Sequence, residues 1–174
     1  FQGGQLVTIQ LASNDSALAK AVGIPQLKQE KSVNGSAGFT FNSNKFTATV
    51  DGYYVKVKDR IVLTGNFDQS DDKIGQILID NHIDQAQFFT NAIDTKTLGL
   101  DIILTYSENI GSGKLTSSFA ANFNDMEITS VNTTPELKGK EDVYLSPREK
   151  AFILASAPKN KFNLSLNYKI HKFN

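Results

Sequence analysis

The 174-residue sequence has no cysteine and no tryptophan. Without cysteine there are no disulfides, no thiol catalysis and no cysteine-ligated zinc, and any compartment remains open. No run of about 18 apolar residues occurs, so no transmembrane helix is expected. Neither sign of charge is in excess. The 18 basic and 18 acidic residues cancel, which removes the electrostatic basis for a nucleic-acid binder. The common catalytic spacings are missing too: there is no Gly-rich phosphate loop, no G-x-S-x-G, no H-E-x-x-H and no calcium-loop pattern. A hydrophobic content of 40% and a mean hydropathy of −0.26 look soluble. Membrane barrels look the same, because half of each of their strands is polar.

What is present is alternation. In FFTNAIDTKTLGLDIILTY, Phe88 to Tyr106, the residues Leu98, Leu100, Ile102, Leu104 and Tyr106 share one phase. Gly99, Asp101 and Thr105 share the other, with Ile103 out of place. Period two marks a strand with one apolar and one polar face. The run exceeds the usual strand of about five or six residues, and a long strand of this kind suits the wall of a transmembrane barrel.

The same pattern recurs along the chain. Val7, Ile9 and Leu11 alternate. Asn14-Asp15-Ser16 offers helix caps before Ala17 to Val22, and Gly23 with Pro25 ends that short helix. Ala37, Phe39 and Phe41 alternate up to a tight turn at Asn42 to Lys45. Phe46, Ala48, Val50, Gly52 and Tyr54 face away from Thr47, Thr49, Asp51 and Tyr53. Near Lys56 and Lys58 the phase changes, which reads as the strand leaving an apolar band or as a bulge. Leu115, Phe119, Ala121 and Phe123 alternate with Thr116, Ser118, Asn122 and Asn124. Phe162, Leu164, Leu166, Tyr168 and Ile170 alternate with Asn163, Ser165, Asn167 and Lys169. Tyr53, Tyr54, Tyr106 and Tyr168 are placed on or near strand ends, where amphipathic rings suit a membrane boundary. Ser146-Pro147-Arg148-Glu149 is a capping box with proline at the first helical position, predicting a helix to about Ala155.

The expected architecture is all-β: an antiparallel up-and-down meander, a β-barrel or part of one, with short helices in long loops. Six strands are expected near 5–11, 33–42, 45–64, 88–107, 114–128 and 161–172. Connections alternate between long (12–32, 65–87, 129–161) and short (42–45, 108–114), as the outer loops and periplasmic turns of a membrane barrel do. Loops 66–86 and 129–160 should then share one end. Phe1-Gln2-Gly3 looks like the end of a protease-cleavable tag linker. Residues 4–174 are then expected to be a single barrel-type domain, a fragment of something larger.

Chemistry-bearing residues are few. His82 lies among Asp68, Asp71, Asp72, Asp80 and Asp84, open to reading as a metal or ferric-ligand site or as a solvated loop. His171 is read as an interface residue. Asp101, a lone carboxylate, makes no mechanism. No catalytic, metal or cofactor-binding residue is assigned, and no enzymatic activity or cofactor is expected.

Four segments carry a family resemblance. LKQEKSVNGSAGF, from Leu27, resembles the Leu-Lys-Pro-Glu-Thr-Ser segment that leads into a barrel strand of TonB-dependent outer-membrane receptors, with Gln29 in place of proline and Lys31 in place of threonine. DGYYVKVKDRIV, Asp51 to Val62, is similar to their Tyr-x-Ile-x-Ile-x-Asp-x-Ile strand. The Phe88–Tyr106 stretch resembles their Asn-Ala-Gly-x-Ala-x-Thr-x-Gly-Val-Glu strand at Asn91, Ala92, Thr97, Gly99 and Asp101, but has Ile93 for a common glycine. APKNKFNLSLNY, Ala157 to Tyr168, resembles their Pro-x-x-Lys-x-Asn-Leu segment. The resemblance implies part of the carboxy-terminal half of a barrel of about 22 strands in the bacterial outer membrane. The implied partners are outer-membrane lipid, the rest of the barrel and its plug, a nutrient ligand (iron chelate, cobalamin, glycan or peptide), and TonB through a segment not in this chain. The other reading is a soluble β-barrel that binds an apolar small molecule.

Six strands cannot close a barrel of that size. The apolar set Phe39, Phe41, Phe46, Val50, Leu100, Ile102, Leu104, Phe119, Phe123, Leu164 and Leu166 is therefore expected to be buried by the sheet curling over it, with self-association at an edge strand or residual apolar surface.

Overall fold

The computed structural model describes residues 7–170. The tag-like residues 1–3, the start of the first expected strand, His171 and the end of the last expected strand lie outside them. The chain divides into two compact units. One comprises Phe1–Ser32, Val57–Thr95 and Ile128–Ser156; the other comprises Val33–Lys56, Lys96–Glu127 and Ala157–Asn174.

The elements in order are β1 (Ile9–Leu11), α1 (Ala17–Val22), β2 (Lys31–Asn42), β3 (Phe46–Leu63), β4 (Phe67–Asp68), α2 (Gly75–Asp80) and β5 (Gln85–Gln87). After them come β6 (Phe89–Ile110), β7 (Gly113–Val131), a 3-10 turn at Pro135–Leu137, α3 (Glu141–Tyr144), α4 (Pro147–Leu154) and β8 (Asn160–Ile170). Strands β2, β3, β6, β7 and β8 form one sheet in that order. This is the expected all-β meander, with β6 reaching 22 residues.

The first expected strand departs from it. Only Ile9–Leu11 is strand, and it pairs parallel with β5 in a three-stranded sheet ordered β1-β5-β4. The meander therefore has five strands rather than six. Local hydrogen bonds hold β1 there: Asp84 and Gln85 N–H donate to Thr8 O, Ala12 N–H donates to Gln87 O, and Thr8 N–H donates to Asp84 Oδ2. The alternation of Ile9 and Leu11 is real, but both side chains stay exposed.

The first unit has its own core. Leu18, Ala19 and Val22 of α1 pack with Val62, Phe67, Ile74, Leu78, Phe88, Ile93, Leu137, Tyr144 and Leu145. Residues from both long loops meet in it, as the loop spacing anticipates. The α1 helix forms because Ser16 Oγ accepts from Ala19 N–H at 3.1 Å and Gly23 closes it at φ 79, a conformation costly for side-chain-bearing residues. The α4 helix starts on Ser146, whose Oγ accepts from Arg148 N–H and pairs with the Glu149 carboxylate. It ends at Leu154, one residue short of the expected bound.

The second unit is sheet. The turn before β3 meets the end of β6: Ser107 N–H donates to Lys45 O at 2.8 Å and Lys45 Nζ reaches Glu108 at 2.6 Å. The expected curl does not form. Phe39 is 65% exposed, Leu164 69% and Leu166 66%. Edges β2 and β8 are not paired with each other, and five strands are too few, since about eight give a barrel interior just filled by side chains.

Candidate functional site

The sheet of the second unit sorts its side chains by face. In the β7–β8 register, Leu115 stands opposite Tyr168, Phe119 opposite Leu164 and Ala121 opposite Phe162. Phe162 stacks on Phe119 at 6.3 Å and meets Phe123 edge-on at 5.7 Å. The other face is a hydrogen-bonded polar ladder. Thr40 pairs with Thr49 at 3.1 Å, Thr105 with Ser118 at 3.3 Å and Ser107 with Thr116 at 3.1 Å. Asn122 Nδ2 donates to Asp101 Oδ1 at 2.7 Å and reaches Tyr53 OH at 3.4 Å. Asp101 thus belongs to a wall network rather than to a reacting centre. Hydroxyl and amide pairs of this kind hold neighbouring strands while staying wettable.

The tyrosines are divided. Tyr168 and Tyr106 lie near the short turns, as expected; Tyr168 OH donates to Ile110 O at 2.7 Å. Tyr53 and Tyr54 instead sit within β3. Tyr53 is at mid-strand because its ring covers the bare backbone at Gly99, where an added Cβ would lie 1.9 Å from Tyr53 Cζ.

In the first unit, three of the four resemblance-bearing segments converge on Asn91. Its Nδ2 donates to Lys28 O at 2.9 Å and Asp59 O at 2.6 Å, and its Oδ1 accepts from Lys28 N–H at 2.7 Å. Glu30 Oε1 accepts from Ile61 N–H at 2.6 Å, and Asp94 Oδ1 accepts from Asp59 N–H at 2.9 Å. Asp59 takes φ 54, the left-handed region, inside a continuous strand. That geometry marks a bulge; it follows Val55 and Val57, so the phase change that begins at Lys56 precedes it. Sequence reasoning missed the roles of Glu30 and Asp94; the only available signal was their position within or beside the recurrent segments.

The carboxylates around His82 do not assemble. Asp68 accepts from Ser70, and Asp80 accepts from Gln76. Asp84 accepts from Thr8. Asp71 caps the turn at Lys73 and Ile74 and, with Asp72, pairs with Lys140. His82 itself adopts φ 56 and donates its N–H to Ile79 O. Among the described residues no group of three or more metal-ligating side chains converges.

What the first unit does offer is an open cleft of about 550 Å³. Its walls include Ile9, Arg60, Leu63, Phe89, Arg148 and Phe152. Arg148 lies over the Phe152 ring at 5.5 Å from its centroid.

Long antiparallel strands, one aromatic and aliphatic face, one polar laddered face and folded loops define a segment of β-barrel wall. The sequence matches the family model described as TonB dependent receptor-like, beta-barrel, over residues 2–174. The chain belongs to that family, whose members are outer-membrane transport receptors. No curated protein and no solved structure matches it.

Proposed function

We propose that residues 4–174 form part of the wall and outer loops of a receptor that draws a nutrient across the bacterial outer membrane, with no catalysis and no cofactor of their own. The observation that carries this reading is the separation of faces in the sheet. A row of Phe and Leu exposed to the surroundings opposes a hydrogen-bonded polar ladder, which suits lipid on one side and an aqueous lumen on the other. Outer-membrane lipid, the remaining barrel strands at edges β2 and β8, and a plug on the polar side are the partners. TonB would act through residues not among these, and the unpaired edges allow self-association when this chain is alone. The nutrient belongs to one of four classes: iron chelates, cobalamin, glycans or peptides.

The soluble alternative needs a closed sheet with the apolar residues inside, and edges β2 and β8 leave the sheet open. Fractionation of cells expressing the full-length gene tests the choice. Recovery in the outer membrane, with growth on one nutrient class lost on deletion, supports the receptor. Recovery as a soluble protein would overturn it.

A further inference from the structure

We propose that the cleft of the first unit binds a diffusible small molecule in which a carboxylate or phosphate is joined to a flat apolar body. Three observations converge on that chemistry. The cleft's volume of about 550 Å³ lies in the range of small-molecule sites, roughly 300–1,000 Å³. Its rim exposes apolar groups that a folded surface would ordinarily cover: Ile9 at 50%, Phe89 at 42% and Phe152 at 65%. Two guanidinium groups, Arg60 and Arg148, line the same space.

The charges favour an anion. The one carboxylate in the lining, Glu149, is engaged by the Ser146 hydroxyl at the start of α4. Arg148 is laid over the Phe152 ring, which orients a planar fork of donors beside an aromatic face. A ligand with a flat ring can lie against Phe152 and Phe89 while its anionic oxygens take the guanidinium N–H groups. Arg60 lines the same cleft, and its Nη1 lies 3.5 Å from Thr95 Oγ1. The assignment concerns binding by the loop unit and does not depend on transport.

The test uses the full chain in a zwitterionic detergent, titrated with 1-naphthoate, 1-naphthyl phosphate and uncharged 1-naphthalenemethanol, with bound ligand read by equilibrium dialysis. Both anions should bind on the order of tenfold more tightly than the alcohol, the scale of one charge-assisted hydrogen-bonded pair. Arg148→Gln should bring naphthoate down to the affinity of the alcohol. Phe152→Ala should weaken all three probes, the anions most because Arg148 also loses the ring that orients it, and Phe41→Ala, outside the lining, should weaken none. Arg148 and Phe152 are exposed, so both variants keep the loop core. The three-probe comparison on the unaltered chain needs no variant at all.

Equal binding of the three probes overturns the proposal. So does a Phe41→Ala effect as large as that of Phe152→Ala. Stronger competition by phosphatidylglycerol vesicles than by the soluble anions would make the cleft a lipid site and overturn it as well. A protein that fractionates with the outer membrane yet binds no probe loses the cleft and keeps the receptor reading. A soluble protein that binds the anions does the reverse.

Discussion

The ring of Tyr53 lies directly against the backbone of Gly99 on the neighbouring strand. A Cβ at Gly99 would sit 1.9 Å from Tyr53 Cζ and 2.2 Å from its hydroxyl oxygen. The glycine gives the ring a seat, and the ring covers backbone that would otherwise be bare. Gly99→Ala must therefore displace Tyr53 and disturb its contact with Asn122. The expected cost is about 1–3 kcal/mol, the usual range for overpacking. Tyr53→Ala combined with Gly99→Ala should cost less than the sum of the two, because removing the ring removes the clash. Urea titration of the refolded chain in detergent reads both.

Asn91 joins two chain segments through three hydrogen bonds, to Lys28 and to Asp59. Asn91→Ala leaves the Lys28 and Asp59 backbone groups without these partners. A loss of about 1–3 kcal/mol is expected. Asn91→Asp should be comparably harmful, since a carboxylate accepts from Lys28 N–H but cannot donate to either carbonyl. Faster hydrogen exchange at Lys28 and Asp59 would locate the damage.

Strand type was legible wherever alternation was long. The bounds expected for the five meander strands fall within three residues of β2, β3, β6, β7 and β8 at every described end. Capping chemistry placed α1 and α4, because Ser16, Gly23, Ser146 and Pro147 act through neighbouring backbone alone. The parallel pairing of β1 was not legible: it depends on hydrogen bonds between Thr8 and residues 76 or 77 positions further on. Nor was the fate of the apolar face. Alternation states that Phe39 and Leu164 share a phase with other apolar residues, but not whether lipid, protein or nothing covers them. The cleft was not legible either, because Ile9, Arg60, Phe89 and Arg148 come from four distant segments.

The ammonium of Lys140 joins Asp71 and Asp72, tying the two long loops together. Hydrogen bonding to Lys140 holds the Asp72 carboxyl below its ordinary value. The Lys140 ammonium is raised, first by Asp72 and, against the opposing effect of burial, by Asp71. The carboxylate's contribution is present above the ordinary carboxylate range and fades as pH falls through its lowered pKa. The ammonium's contribution is present below the ordinary lysine value and fades as pH rises through its raised pKa. Protease resistance of the loops should therefore hold at neutral pH and fall at both extremes. Lys140→Met should lower it at neutral pH and flatten both arms.

Thr90 and Tyr144 are both buried, and their hydroxyls lie 2.7 Å apart. Tyr144→Phe leaves Thr90 without this partner while nearly preserving volume, at a cost of about 1–3 kcal/mol. Tyr144→Ala also opens a cavity in the core and should cost about 3–5 kcal/mol, as large aromatic deletions do. Thr90→Val with Tyr144→Phe removes both polar groups and should recover much of the single-variant loss. Calorimetry on the three variants distinguishes a satisfied pair from simple filling of space.

Leu164 and Asn163 are neighbours on β8 that point to opposite faces, and both are exposed. Without lipid the face bearing Leu164 meets water, so Leu164→Arg should change stability within about 0.5 kcal/mol, as exposed surface substitutions usually do. In a bilayer the same arginine would have to enter hydrocarbon, and the cost rises to about 2–4 kcal/mol near the midplane. Asn163→Arg faces the polar side and should stay nearly neutral in both settings. Unfolding of the full-length receptor from phosphatidylcholine vesicles, beside unfolding of this chain in aqueous buffer, gives the four values. A penalty for Leu164→Arg that appears only with lipid assigns that face to the membrane. Equal penalties at both positions, or a penalty at Asn163 alone, would reverse the assignment of faces and remove the observation on which the receptor reading rests.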